Sequence, residues 1–165
     1  MMFLGHKLRQ LALIVVTAAS VTSCGLLSGG PKTETWGSGN LRMTLWVSRS
    51  LPRVGEPVEI RYTVENPTDQ TEVIQLEDKP VMDILILFGP GGHITNIYWS
   101  DGREITPEMR RLELAPGQSK TIEMTWVADK KAEGGPVSVH GILNWAQMYS
   151  SYVPVMICVG KCPVY

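Results

Sequence analysis

Beyond its first 23 residues the chain carries two histidines, His93 and His140, and three cysteines, Cys24, Cys158 and Cys162, as its candidates for nucleophilic or metal chemistry. His140 beside a serine would supply two members of a hydrolytic triad, but no Gly-x-Ser-x-Gly elbow frames a nucleophile. A metal centre needs three or four clustered ligands, and no His/Cys/Asp spacing provides them. Gly89-Pro90-Gly91-Gly92 lacks the Lys-Ser/Thr and following helix of a phosphate-binding loop. Asp83 interrupts the apolar run Val81–Phe88, where a structural carboxylate accepting hydrogen bonds is the simpler reading than a perturbed catalytic acid. His140 alternates with apolar residues and belongs on the outer face of its strand. No catalytic residue, metal ligand or cofactor is therefore assigned. One group of residues could bind a partner. His93, Tyr98, Trp99, Asp101 and Arg103 sit in the long connection from Gly89 to Met109, and aromatics beside charges are the composition of an interface hot spot. The alternative is that Tyr98 and Trp99 cover the edge of a sheet.

The composition narrows the class. The 165 residues have a net charge of −1, are 44% hydrophobic and 19% charged. That is too apolar for a disordered chain and too neutral for a nucleic-acid binder, which needs a basic face. The first 23 residues hold two of the 15 basic residues (Lys7 and Arg9) and none of the 16 acidic ones, which leaves the remainder at −3.

The N-terminus addresses the chain. Lys7 and Arg9 precede an uncharged stretch, Leu11–Ala19, about half the ~20 residues that a spanning helix needs. Its length suits the apolar region of an export signal. Val21-Thr22-Ser23-Cys24 then resembles the lipobox of bacterial lipoproteins. The resemblance implies diacylglyceryl transfer to Cys24, cleavage before it, and a protein anchored in the cell envelope facing outside the cytoplasm. Residues 1–23 are thus a lipoprotein signal peptide. With Cys24 acylated, Cys158 and Cys162 remain as an even pair in an oxidising compartment, where a disulfide is the natural reading. Residues four apart on a strand lie ~13 Å apart, beyond the ~7 Å limit of a disulfide. The chain must therefore turn at Val159-Gly160-Lys161. So small a loop would contribute only about 2 kcal/mol.

Residues 24–40 are rich in Gly and Ser without hydrophobic periodicity and read as a flexible tether of roughly 22 Å, with Trp36 its odd member. From Leu41 to Tyr165 the pattern changes to period two, punctuated by turns. Leu41, Met43, Leu45 and Val47 alternate with polar residues or Trp46, and Val58, Ile60, Tyr62 and Val64 do so more cleanly. Further strands are expected at Thr71–Leu76, Val81–Phe88, His93–Trp99, Met109–Leu114, around Ile122–Trp126, at Val137–Leu143 and at Tyr152–Val159. Ile122, Met124 and Trp126 should share the buried face of theirs. Short strands with turn signals about every ten residues, and no long amphipathic helix, predict an all-β chain. An immunoglobulin-like antiparallel β-sandwich is the expected form.

A further set of residues carries a resemblance. Asp83 in an apolar strand is followed by Tyr98-Trp99-Ser100-Asp101-Gly102, then by Leu112-Glu113-Leu114-Ala115-Pro116-Gly117. Thr125-Trp126-Val127 and Gly134-Gly135-Pro136-Val137-Ser138-Val139-His140-Gly141-Ile142-Leu143 come next. In this order they resemble the BsuPI family, named for an intracellular proteinase inhibitor, over residues 54–143. Met82 and Ile84 stand where that pattern has aromatics, Ile105 where it has Phe, and Val137 where it has Tyr. The resemblance implies an immunoglobulin-like fold and a protease-binding activity, while the export signal sets this chain outside the cytoplasm.

Together these readings give a lipid-anchored extracytoplasmic sandwich that binds a protein partner, either a protease or an envelope component. A structural or accessory envelope lipoprotein is the second reading and an enzyme the third. The partners expected are a membrane, through the anchor, and a protein, but no nucleic acid. The sequence sets no oligomeric state.

Overall fold

Alternating apolar residues produce strands wherever turn residues interrupt them. The computed structural model describes residues 29–89, 94–146 and 149–161. In chain order its strands are β1 (Lys32–Ser38), β2 (Leu41–Val47), β3 (Pro57–Glu65), β4 (Glu72–Gln75), β5 (Met82–Phe88) and β6 (Thr95–Tyr98). A single helical turn, α1 (Pro107–Arg110), leads into β7 (Arg111–Leu114), and β8 (Ser119–Val127), β9 (Pro136–Ala146) and β10 (Tyr149–Cys158) follow. Among the described residues no helix is long and apolar enough to cross a membrane.

The strands form two four-stranded antiparallel sheets, ordered β1-β2-β3-β8 and β10-β9-β5-β6, with β4 and β7 as a separate pair. Setting β1 aside, this is the strand order of an immunoglobulin-like sandwich, with β6 as the extra edge strand of the second sheet. The inner faces interdigitate. Leu41, Met43, Leu45 and Val47 of β2 and Val58, Ile60, Tyr62 and Val64 of β3 are all buried. From the second sheet come Ile84, Ile86 and Phe88 of β5 and Val137, Val139 and Leu143 of β9, also buried. Trp126 is buried as expected and meets Phe88 of the opposite sheet at 5.5 Å between ring centroids. Gly117 takes a left-handed φ of 71° in the turn before β8, which a residue with a Cβ adopts only with strain.

Three boundaries differ from the sequence reading. The stretch read as a tether contains β1, which pairs along its whole length with β2, so the ordered sandwich begins well before Leu41. β1 has no apolar periodicity because it is an exposed edge strand held by polar contacts. Thr35 bonds Thr44 at 3.1 Å, Lys32 Nζ donates to the Met156 carbonyl at 3.0 Å, and Ser38 bonds Ser151 at 2.6 Å. Trp36 stands in register with Met43 and is exposed. The proposed strand Met109–Leu114 begins as helix, since Pro107 suits a first helical turn. The last hairpin is longer than expected, with β9 reaching Ala146 and β10 starting at Tyr149 after a register shift at Tyr149/Ser150. Cys24, His93 and Cys162 lie outside the described residues. Past Cys158 the chain does turn, with Gly160 at a left-handed φ of 73°.

Candidate functional site

The two outer faces of the sandwich are chemically unlike. On the first sheet, Thr63 bonds Thr121 at 2.8 Å, Arg42 pairs with Glu65 at 2.6 Å and Arg61 with Glu123 at 3.0 Å. The Arg61 guanidinium also lies 4.8 Å from the Trp46 ring centroid. Cross-strand polar pairs of this kind satisfy one another and keep a face wetted.

The outer face of the second sheet sets exposed aromatic and aliphatic side chains among a few polar ones. Cross-strand register aligns Tyr98, Leu85, His140 and Pro154 in one row. Asp83, Ile142 and Tyr152 form the next, and Leu87, Ser138 and Met156 a third. Tyr152 and Met156 are each 49% exposed and Tyr98 36%, while Leu85 and Ile142 form the floor. The rows flank a shallow concavity of about 370 Å³ lined by Asp83, Leu85, Tyr98, Ile142 and Tyr152, with Lys79 and Asp101 among its charged members. The His140 and Tyr152 rings stand perpendicular with centroids 6.0 Å apart, and His140 Nε2 shares a 2.7 Å hydrogen bond with Ser138. Its Nδ1 is buried and finds no partner among the described residues, and loss of hydration lowers the pKa of the ring.

Asp83 sits at one edge of this concavity and is buried. Its Oδ1 accepts from the backbone N–H groups of Ile84 at 2.8 Å and Ser100 at 3.2 Å. Its Oδ2 accepts from Ser100 Oγ at 2.6 Å. Burial raises its pKa, and these hydrogen bonds, which favour the carboxylate, only partly offset the rise. The partners are a serine and the backbone, as a structural carboxylate requires. The function is structural: Asp83 ties β5 to the turn after β6.

That turn holds most of the residues singled out from sequence. Asp101 Oδ2 accepts from the Tyr98 N–H at 2.8 Å, closing the turn on itself. Trp99 spans the gap between the sheets. Its backbone N–H donates to the Ile84 carbonyl at 2.8 Å, and its indole Nε1–H donates to the Glu123 carbonyl of β8 at 2.9 Å. Below it lies a small cavity of about 30 Å³ lined by Val81, Met82, Met109, Leu112 and Ile122 among others. Arg103 stacks 4.6 Å from the Trp99 ring centroid while its Nε–H donates to the Trp99 carbonyl at 2.7 Å. Trp99, Asp101 and Arg103 are thus brought together as an edge clasp, and Tyr98 alone of the four turns outward onto the second sheet's face. The sequence reading missed Leu85, Ile142, Tyr152 and Met156. The available signal was that Val81–Phe88 and Tyr152–Met156 are apolar at both parities, more than a strand with one wetted face requires.

Among the described residues no group of three or more His, Cys, Asp or Glu side chains could hold a metal ion. The architecture and the Asp83-anchored turn define the class: an immunoglobulin-like antiparallel β-sandwich whose second sheet exposes aromatic and aliphatic side chains on its outer face. Residues 45–147 match the BsuPI family, described as intracellular proteinase inhibitor, and the chain belongs to that family. No curated protein matches it in sequence. Similar solved structures include a β-glucosidase from Erythrobacter marinus, at 12% identity and a TM-score of 0.43 over 80% of this chain. Spo0M, the sporulation control protein of Bacillus subtilis, matches at 13% identity and a TM-score of 0.43 over 81% of this chain. The chain spans 15% of the former and 50% of the latter.

Proposed function

We propose that the chain is a proteinase-inhibitor-like binding module, tethered to the outside of a membrane through acylated Cys24, that engages a protease with the outer face of its second sheet. The observation that carries this reading is the unlikeness of the two outer faces. One is closed by its own ion pairs and hydroxyl contacts, and the other exposes Tyr98, Tyr152 and Met156 over an apolar floor. Aromatic and Met side chains around a desolvated centre are the usual anchors of a protein interface. Family membership supports a protease as the class of partner. The family's description is intracellular, whereas Lys7, Arg9, the apolar Leu11–Ala19 stretch and Cys24 read as an exported lipoprotein's leader. In that setting Cys158 and Cys162 pair across the Gly160 turn.

Two measurements test the two halves. Metabolic labelling with a fatty-acid analogue should label the parent and not Cys24→Ser, since serine cannot form the thioether; equal labelling would remove the anchor. Titration of serine, cysteine, metallo- and aspartic proteases with the purified chain should inhibit members of one class stoichiometrically. Inhibition of none would leave an accessory envelope lipoprotein as the reading.

A further inference from the structure

The first described residues are already fixed to the sandwich. The Ser50 N–H donates to the carbonyls of Gly29 and Gly30, at 3.1 and 2.9 Å. Gly29 packs so closely that a Cβ there would stand 2.5 Å from Leu51 Cβ. Cys24 and Gly29 are five residues apart, and a fully extended chain of that length spans about 18 Å at most. The roughly 22 Å coil expected from sequence therefore cannot exist between an acylated Cys24 and the domain. Whatever surface surrounds Ser50 must lie close to the lipid.

That surface is one end of the sandwich. The β2–β3 connection, the β8–β9 connection and the C-terminal segment are joined there. Gly55 and Ala128 are linked through backbone bonds, the Cys158 N–H donates to Ser50 O, and the Gly160 N–H donates to Pro52 O. Three aliphatic side chains project from it into solvent: Leu51 at 39% exposure, Val54 at 41% and Val127 at 57%. The segments joined at this end carry Arg49, Arg53, Lys130, Lys131 and Lys161, against Glu56, Asp129 and Glu133. Of those acids Glu56 approaches Arg49 at 3.9 Å and Asp129 accepts from the Lys131 N–H at 2.8 Å. At the opposite end the β3–β5 connection carries Asp69, Glu72, Glu77 and Asp78 against Lys79, with Arg110 and Arg111 reaching it from α1 and β7 beside it.

From this composition, and resting on acylation of Cys24 as proposed above, we infer that the Leu51/Val54/Val127 end docks flat on an anionic lipid bilayer. Aliphatic side chains enter the headgroup boundary while basic residues meet lipid phosphates, the combination that holds peripheral proteins at a membrane. Electrostatic attraction reaches about 8–10 Å at physiological salt, and a connection of at most about 18 Å lets this end come within that range of the lipid. Docking this way fixes the orientation of the module. The opposite end points away from the bilayer, and the outer face of the second sheet stands upright and open to a partner.

The test uses the full-length acylated protein reconstituted into phosphatidylglycerol/phosphatidylcholine vesicles containing brominated lipids. Mass spectrometry of the Cys24 peptide first establishes acylation. Val54→Trp and Val127→Trp each add a fluorophore at the proposed docking end, and Asp69→Trp adds one at the far end. Thermal melts confirm that each variant folds, and two docking-end positions guard against failure of either. The added fluorescence at Val54→Trp or Val127→Trp should be quenched at least twofold more than at Asp69→Trp. Pure phosphatidylcholine, or Lys130→Glu with Lys131→Glu, should reduce that difference. Equal quenching at both ends, or none, in an acylated protein would overturn docking while leaving the anchor intact. An unacylated Cys24 would overturn both.

Discussion

The ring of Tyr62, on the inner face of the first sheet, lies against the backbone of Gly141 on the second, so that a Cβ at Gly141 would stand 2.3 Å from Tyr62 Cδ2. No real Cβ tolerates that approach, and the atoms in the way include Cγ at the root of the ring. Gly141 is therefore required for the sheets to close, independently of backbone dihedral. Gly141→Ala should lower stability by about 3 kcal/mol, the upper part of the range for overpacked cores. Combining it with Tyr62→Leu should recover part of the loss. Denaturant midpoints of the single and double variants read this directly.

The Tyr62 hydroxyl is buried and has no hydrogen-bond partner among the described residues. Burial correspondingly raises its pKa. Removing an unpaired buried hydroxyl eliminates a desolvation cost without leaving another group unpaired. Tyr62→Phe should be neutral or stabilising by up to about 1 kcal/mol, and a loss of 2 kcal/mol would mean that the hydroxyl is bonded.

Asp83 makes stability depend on pH in a defined direction. Its folded pKa is raised, by burial above all, so the native state binds its proton more tightly than the unfolded chain does. The stabilisation this provides is complete below the ordinary carboxylate range near pH 4 and is lost as pH rises through the higher folded value. Asp83→Asn can keep hydrogen bonds to Ser100 while carrying no charge. Relative to the parent, the variant should gain stability from pH 4 to pH 7. Chemical denaturation at both pH values checks this, and a growing loss toward pH 7 would mean that the charged form is what holds the turn.

Trp126 and Trp99 should differ in degree. Trp126 is enclosed between the sheets against Phe88, so Trp126→Ala should cost about 3–5 kcal/mol through lost burial and the cavity left behind. Trp99 is half-buried at the edge and anchored to the Glu123 carbonyl. Trp99→Ala should cost about 2 kcal/mol, with Arg103 losing its stacking surface. Thermal melts of both separate an edge clasp from a purely external interface residue, whose loss would leave the melting temperature unchanged.

The core was legible because its signal is local. Alternation in β2, β3 and β8 states which face is buried, and Asn66-Pro67 and Ala115-Pro116-Gly117 state where the chain turns. β1 was not legible because its residues bury almost nothing. Its place comes from backbone pairing with β2 and from contacts to Ser151 and Met156, more than a hundred residues away. The candidate site divides in the same way. Trp99, Asp101 and Arg103 stood out by composition, but their roles depend on Asp83 and Glu123, which approach only in the folded sandwich. The side-chain rows of the second sheet's outer face depend on the register of four strands, and register is a property of pairing rather than of any one segment.

The outer face of the second sheet is where the account is most exposed to test. Tyr98→Arg and Tyr152→Arg place charges on the two edge strands that flank the apolar floor without disturbing the core, since both side chains project into solvent. Against a protease inhibited by the parent, each variant should weaken inhibition at least thirtyfold, about 2 kcal/mol, with a melting temperature within a few degrees of the parent's. Thr44→Arg and Thr63→Arg, on the first sheet, should leave the inhibition constant unchanged. Inhibition that survives both tyrosine replacements but fails with a first-sheet variant would contradict the assignment of the binding face.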